Sequence, residues 1–390
     1  MRIGIDITPA VNQPNTGIGR YTQRLVEHIA SLEPAYDYCL VHSSNGKAQN
    51  PLHEKLAGHN ISSRRIAHSK RQTRTLWLLS HKLHFGVDPS LGKLDLFHAT
   101  DTCGPYLNNI GLVSTVHDIA FFSLPDTASP LNRYYLRSTI QASLKRSARV
   151  IAVSNSTKRD LIRLFDVPEE KIRVVHPGID ESFIPVAPNL LEEIRAKYSL
   201  TSPFILFVGA IEPRKNLASL IAVYNALVRE SLINHSLVIA GARGWSSEPI
   251  FKLVQELGMD GKVIFTGEVA EEELPALYSA ADLFVFPSLY EGFGFPPLEA
   301  MACGTPTIVS DVSSLPEIVG DAALKVTPQK HKELAETIRA VLENYTLQHE
   351  LVAKGLQQAK KFSWKKTAKE TLNVYQEVEG LIRREKCASA

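Results

Sequence analysis

Short apolar runs alternate with amphipathic stretches along nearly the whole chain, and this alternation most narrows the folds open to it. An apolar run with few polar breaks has to be buried on both faces. A strand of a parallel sheet meets that demand when helices cover the sheet on either side. The expected class is α/β, with two Rossmann-like, doubly wound parallel sheets. In the first half the strand candidates are residues 2–8, 36–41, 94–99, 112–117, 150–154 and 172–176, with helical stretches at 18–31, 130–146 and 156–165. In the second half they are 204–208, 236–240, 262–266, 283–287, 307–310 and 324–326, with helices at 216–229, 248–257, 271–279 and 297–303.

At roughly 100–200 residues per domain, a chain of 390 residues has room for two or three. The stretch His176–Asn189 carries three prolines and breaks every period, so it reads as a linker. The expected boundaries are 1–178 for a first domain and 179–362 for a second, with a closing segment 363–390. Two such domains form a cleft where the carboxyl ends of their strands face each other, the usual place for a ligand. The closing segment is an amphipathic helix with Trp364, Leu372, Tyr375 and Val378 on one face, long enough to return to the first domain.

Composition removes several classes of function. Lys and Arg number 43 against 41 Asp and Glu, a net charge of +2, too balanced for a chain held mainly by nucleic-acid phosphates. The four cysteines (Cys39, Cys103, Cys303, Cys387) are widely spaced, which suggests neither a zinc ribbon nor a disulfide framework. The opening MRIGIDITPA lacks the apolar core of a signal peptide, and no apolar run approaches the roughly 20 residues that span a bilayer. A soluble, cytoplasmic protein is expected. One segment departs from the even charge: Ser62–His84 holds Arg64, Arg65, Lys70, Arg71, Arg74 and Lys82 around Leu76, Trp77, Leu78 and Leu79. A basic amphipathic stretch with a Trp suits an anionic membrane surface; equally, its apolar face can pack on its own domain.

Chemistry-bearing residues collect at strand ends. Gly17-Ile18-Gly19 opens a helix after the first strand, where a phosphate can approach backbone N–H groups, although a tight turn explains the glycines as well. The pattern is not GxGxxG and no acidic residue ends the second strand, which argues against a nicotinamide cofactor. His117 and Asp118 end another strand, where the histidine either faces the cleft or is structural. Ser154 stands where a strand meets a helix, as an N-cap or as a cleft-facing hydroxyl. Arg214 and Lys215 follow a strand and suit an anion such as a diphosphate, and no DxD occurs anywhere, so these cations can supply the charge a metal would otherwise bring. The densest signal is Ser288–Ala300, in which Glu291 and Glu299 flank a glycine loop that opens a helix, with Glu299 on its first turn.

With these residues the chain resembles the retaining glycosyltransferases of family 4, which have the two-domain GT-B fold. The likeness runs through TGIGRY, VHD at 116–118, VSNST at 153–157, EPRKN at 212–216, AG at 240–241, FTGEV at 265–269, EGFGFPPLEAMACGTP from Glu291 and SSLPEIVGDAAL from Ser313. It implies that the second domain holds a nucleotide-sugar donor and the first an acceptor. Arg214 and Lys215 would hold the diphosphate, approached by Gly17 and Gly19 from the other domain. Glu299 would bind the ribose, and Glu291 the sugar hydroxyls with the N–H groups of Phe293, Gly294 and Phe295. His117 would meet the donor sugar, and Gly267–Val269 would lie beside the base. Asp118, Ser154, Gly209, Gly241 and Leu298 complete the expected donor site. The resemblance further implies retention by front-face displacement, in which His117 and Glu291 position groups and stabilise charge.

The pattern looks most like bacterial mannosyltransferases that extend lipid-linked O-antigen or capsule chains. This implies GDP-mannose as donor, a saccharide or polyprenyl-diphosphate-linked acceptor, no metal or other cofactor, and peripheral contact with the inner membrane. A UDP- or dTDP-sugar is the alternative donor. The alternative activities are a nucleotide-sugar epimerase or a sugar phosphorylase on the same fold, and a sugar-nucleotide sensor without turnover.

Overall fold

The computed structural model describes residues 1–32, 35–43, 52, 56, 60–66, 68–124 and 130–388, with backbone only at 70, 130, 132, 385, 386 and 388. The chain divides into two compact units. The first comprises Met1–Ser123, Pro130–Gly178 and Ser363–Ala390, and the second comprises Leu124–Ser129 and Ile179–Phe362.

The first unit is built on seven strands: β1 (Arg2–Asp6), β2 (Asp37–Ser43), β3 (Ile61–Ile66), β4 (Leu96–Ala99), β5 (Gly111–Val116), β6 (Arg149–Ala152) and β7 (Ile172–Val174). They pair in parallel in the order β3-β2-β1-β4-β5-β6-β7. The second unit has β8 (Phe204–Val208), β9 (Ser236–Ala240), β10 (Val263–Gly267), β11 (Leu283–Phe286), β12 (Thr307–Ser310) and β13 (Leu324–Val326). Their order is β10-β9-β8-β11-β12-β13, again parallel. Each sheet therefore reverses its winding once, between β1 and β4 and between β8 and β11. At such a switch point the two flanking connections leave in opposite directions and open a crevice at the strand carboxyl ends.

The central strands are the ones the sequence reading places. FILFV of β8 and LFVF of β11 are buried at every position, and Phe207 stacks on Phe286 with ring centroids 5.7 Å apart. The strand that reading lacks is β3. Its ISSRRI is an edge strand with Ser63, Arg64 and Arg65 exposed, so no apolar run marks it. The basic stretch splits accordingly: Arg64 and Arg65 lie on β3, and the remainder forms the helix Lys70–Leu83. Trp77 is not a membrane-facing residue. It is buried edge-on against Phe97, in a core cluster with Cys39, Val41, Ile66 and Leu112. The side chain of Lys70, which the sequence reading counted among the cations, lies outside the described residues.

The closing helix Trp364–Ala388 packs within the first unit, and Trp364, Leu372, Tyr375 and Val378 are all buried. Polar ties hold it at several points. Glu377 pairs with Arg149 at 2.7 Å and Arg173 at 2.8 Å, and the Tyr375 hydroxyl meets Nδ1 of buried His98 at 2.7 Å. Burial, together with the nearby His117, pushes the His98 imidazole down to about 3, so it is neutral in the folded chain.

Removing the Tyr375 hydroxyl leaves a buried imidazole nitrogen without its partner. Tyr375→Phe is expected to cost about 1–3 kcal/mol in urea unfolding at pH 7. Because the folded form of His98 resists protonation, its contribution is complete above pH 6.5 and is lost as the pH falls toward 3. Wild-type unfolding midpoints should therefore decline on acidification through that window, with a shallower decline in His98→Gln.

Candidate active site

The second unit gathers most of the expected residues at its switch point. β8 ends at Val208 and β11 at Phe286, and the loops that follow carry Arg214 with Lys215 and Ser288 to Glu291. The two loops are stitched together, since Leu289 N–H donates to the Arg214 carbonyl at 2.8 Å and Arg214 Nη1 donates to the Tyr290 carbonyl at 2.8 Å. Between them lies a buried charge cluster. Glu291 Oε2 is 2.7 Å from Arg214 Nη1, and Oε1 accepts from Lys215 Nζ at 2.7 Å. Arg214 also reaches Glu212 at 2.7 Å, and the Lys215 ammonium sits 4.9 Å above the centre of the Phe286 ring.

Burial opposes charge on Glu291, but Arg214 and Lys215 outweigh it and hold the carboxyl down to about 2. Burial and the Arg214 guanidinium lower Lys215, and Glu291 pulls it back. The sequence reading assigned the cations to a diphosphate and Glu291 to a sugar, without foreseeing that all three touch. Backbone ties fix Glu291 as well: its N–H donates to Ser313 Oγ at 2.9 Å, and Ser314 Oγ donates to the carbonyls of Glu291 at 2.9 Å and Phe293 at 2.7 Å.

After Glu291 the chain turns into the helix Phe295–Ala302 through Gly294, whose φ is +112°. A Cβ there would lie 2.9 Å from Leu315 Cδ2, so both conformation and space call for glycine. Pro296 and Pro297 follow Phe295 and lack N–H groups, which leaves the backbone donors of this helix end at Phe295 and the loop before it. Because the helix begins at Phe295, Glu299 is not on its first turn. It stands one turn in, 2% exposed, and accepts from the Tyr278 hydroxyl at 2.8 Å. Phe293 is buried, and Leu298 is fully buried, which turns its side chain to the core. Gly209, Gly241 and Gly267 lie side by side at the ends of β8, β9 and β10. Gly241 N–H donates to the Gly267 carbonyl at 2.8 Å, and a Cβ on Gly241 would strike the Gly209 carbonyl at 2.0 Å. Val269 is half-buried just beyond.

The first unit carries the other expected residues. Gly17 begins the helix Gly17–Leu32; Gly19 N–H donates to Thr16 Oγ1 at 3.1 Å, and a Cβ on Gly19 would meet the Gln13 carbonyl at 2.1 Å. Half-buried His117 follows β5, and its Nε2 lies 2.7 Å from the Thr100 carbonyl. A carbonyl only accepts, so Nε2 bears the proton and Nδ1 keeps a lone pair in the neutral ring. Burial lowers the His117 pKa, while the Thr100 carbonyl, Asp101 and Asp118 act against that shift. Asp118 Oδ1 accepts from Ala120 N–H at 3.1 Å. Ser154 is fully buried and caps the helix Asn155–Phe165 by accepting from Thr157 N–H at 3.1 Å. Glu212, Tyr278, Ser313 and Ser314 escaped the sequence reading as site residues. Glu212 and the two serines lie inside quoted motifs, whereas nothing near Tyr278 signals its partner.

Comparison with known proteins identifies the family. Residues 15–183 match the family model described as Glycosyltransferase Family 4, and residues 192–358 match that for Glycosyl transferases group 1. The chain is 31% identical over 386 residues to the O-antigen chain mannosyltransferase B of Escherichia coli, covering 94% of this chain and 98% of that one. It is 33% identical over 282 residues to the O-antigen chain mannosyltransferase RfbU of Salmonella typhimurium, covering 72% and 74%. Among solved structures, Anabaena HepE in complex with UDP and glucose superposes with a TM-score of 0.72 over 97% of this chain and all of that one, at 17% identity.

Replacing Glu291 by Gln leaves two buried cations without their shared carboxylate. The substitution is expected to cost about 3 kcal/mol in chemical denaturation at pH 7. Since the folded carboxyl is held low, its contribution is complete above about pH 4.5 and is lost as the pH falls toward 2; the variant should lack that acid-dependent part.

Proposed function

The chain belongs to the family 4 and group 1 glycosyltransferases, and on that premise we propose that it transfers mannose from GDP-mannose to a lipid-linked or saccharide acceptor, with retention, in bacterial surface-polysaccharide synthesis. The observation that carries this reading is the near full-length likeness to a mannosyltransferase of O-antigen chains. Geometry supplies the means. Arg214 and Lys215, neutralised by Glu291 and Glu212 in the chain alone, exchange part of that pairing for the donor diphosphate and stabilise the charge that grows on it as it leaves. No metal is required for that neutralisation.

Glu291, held ionised, has no proton to give, and its oxygens already face two cations, which weakens it as a nucleophile. Its work is to accept hydrogen bonds from sugar hydroxyls and to steady positive charge at the anomeric carbon. His117, donating from Nε2 to Thr100, offers Nδ1 as an acceptor to a donor-sugar hydroxyl. In the front-face displacement the donor's anomeric C–O bond breaks, the acceptor oxygen bonds to that carbon on the same face, and the acceptor proton passes to the departing diphosphate. Glu299, which accepts from the Tyr278 hydroxyl, binds the ribose hydroxyls in this reading.

No described helix is long and apolar enough to cross a membrane. Peripheral contact is supported by an apolar patch distinct from Trp77. Leu79 and Leu83 project one turn apart from one helix, and Leu131 and Tyr134 are exposed on the helix Pro130–Arg146. Lys82 joins the two by donating to the Tyr134 hydroxyl at 3.2 Å.

Product analysis by NMR tests the reaction. With GDP-mannose the linkage formed should keep the donor's anomeric configuration, and turnover should persist in EDTA. An inverted product would sink the front-face account, and complete loss in chelator would sink metal independence. Glu291→Gln should lower turnover by about 100-fold while GDP binding is kept or tightened; near-normal turnover would remove the role given to this carboxylate.

A further inference from the structure

Two residues past Gly19 on the helix Gly17–Leu32 stands Tyr21, fully buried and unused by the chemistry described above. Its ring meets the His117 imidazole edge to face, with centroids 4.7 Å apart and planes at 84°. Burial pushes the Tyr21 phenol up to about 12, so it is neutral and has no proton to exchange near neutral pH. What it offers His117 is a wall.

The imidazole needs one. The bond from Nε2 to the Thr100 carbonyl restrains the ring at a single point, and χ2 of a histidine is a broad, soft torsion. An edge-to-face neighbour blocks the remaining rotation, because turning the imidazole drives it into the tyrosine ring. The wall is itself held. Its hydroxyl lies 3.4 Å from Oγ1 of Thr115, on the strand β5 that delivers His117, and Thr115 Oγ1 is 2.7 Å from His98 Nε2. Trp364 backs the tyrosine ring, with centroids 6.0 Å apart.

The first restraint runs back to the same helix. Thr100 Oγ1 donates to the Asp6 carbonyl at 2.6 Å, so the proton between it and Thr22 Oγ1, 3.2 Å away, comes from Thr22. Thr22 is fully buried and shares that proton with the Ile18 carbonyl at 2.9 Å. Adjacent residues of one helix therefore serve His117. Tyr21 acts through its ring, and Thr22 acts through the residue whose carbonyl holds Nε2.

We propose that Tyr21 is a positioning residue for the transfer, which fixes the plane of the His117 ring and so the aim of Nδ1, with Thr22 steadying the Thr100 carbonyl in the same service. The proposal rests on the role given to His117 in the glycosyl-transfer reading and deepens it.

Nitrogen NMR of the histidine rings and GDP release from GDP-mannose test it on the full chain. The proteins are the wild type, Tyr21→Phe, Tyr21→Met, Thr22→Val and His117→Ala, the last of which also assigns the His117 signal. In the wild type at pH 8 the His117 ring should show one tautomer, with the proton on Nε2. Tyr21→Phe keeps the wall and should keep that signal, with kcat within about twofold of the wild type. Tyr21→Met fills the space without a flat ring and should average the two tautomers. Its kcat should fall about tenfold with a smaller change in KM, and Thr22→Val should lose about threefold. In a His117→Ala background Tyr21→Met should cost less than about a further twofold, since the group it positions is gone. A proton on Nδ1 in the wild type, an unchanged signal and kcat in Tyr21→Met, or a loss in Tyr21→Phe as large as in Tyr21→Met would overturn the proposal. So would an equal loss with and without His117, the mark of a merely structural tyrosine. If Tyr21→Met does not fold, Thr22→Val decides, and an unaltered signal and kcat there overturn the proposal. Calorimetry with GDP on the wild type separates the two levels: absent GDP binding refutes the glycosyl-transfer reading itself, whereas GDP binding with an unaltered ring signal in Tyr21→Met removes only the positioning role.

Discussion

A carboxylate taken out of water gives up its charge unless something nearby holds it, and Glu291 keeps its charge because Arg214 and Lys215 each hold one of its oxygens at 2.7 Å. Much of the second unit's site follows from that arrangement. The loops after β8 and β11 must come together at the switch point, and backbone bonds between Arg214, Leu289 and Tyr290 keep them there. Ser313 and Ser314 then set the direction in which the chain leaves Glu291, and Gly294 lets it turn into the helix that carries Glu299. On the proposed function, the cluster also stores cationic charge for the donor: two adjacent cations repel when the site is empty, and the two carboxylates hold them until a diphosphate arrives.

The two sheets share one winding order and use their reversal points differently. In the second unit the crevice is filled by paired charges. In the first, Asp6, Asp101 and Arg74 stand at the crevice. The chemistry of each crevice is set by which residues stand at the strand ends rather than by the fold itself.

The central strands of both units were legible because burial on two faces demands unbroken apolar runs, as in FILFV of β8. The edge strand β3 was not, since exposure lets its side chains be polar. Motif residues were legible as a set, but their mutual contacts were not: Lys215 and Glu291 lie 76 positions apart, and only the pairing of β8 with β11 brings them together. Trp77 was ambiguous because a Trp among cations suits a membrane surface and a domain core alike, and its neighbours in space come from other strands. Ser154 was ambiguous for a related reason, as a hydroxyl at a strand-to-helix junction serves a cap as readily as a ligand.

The central claim of the proposed function is that Arg214 and Lys215, held in place by Glu291, bind the diphosphate of the donor. Calorimetric titration of GDP, UDP, dTDP and ADP into the wild type and Lys215→Ala, without added metal, tests it most directly. The account predicts that GDP binds the wild type most tightly and binds Lys215→Ala at least about tenfold more weakly, the loss of one charge-assisted contact to phosphate. Equal binding of GDP to both proteins would contradict it.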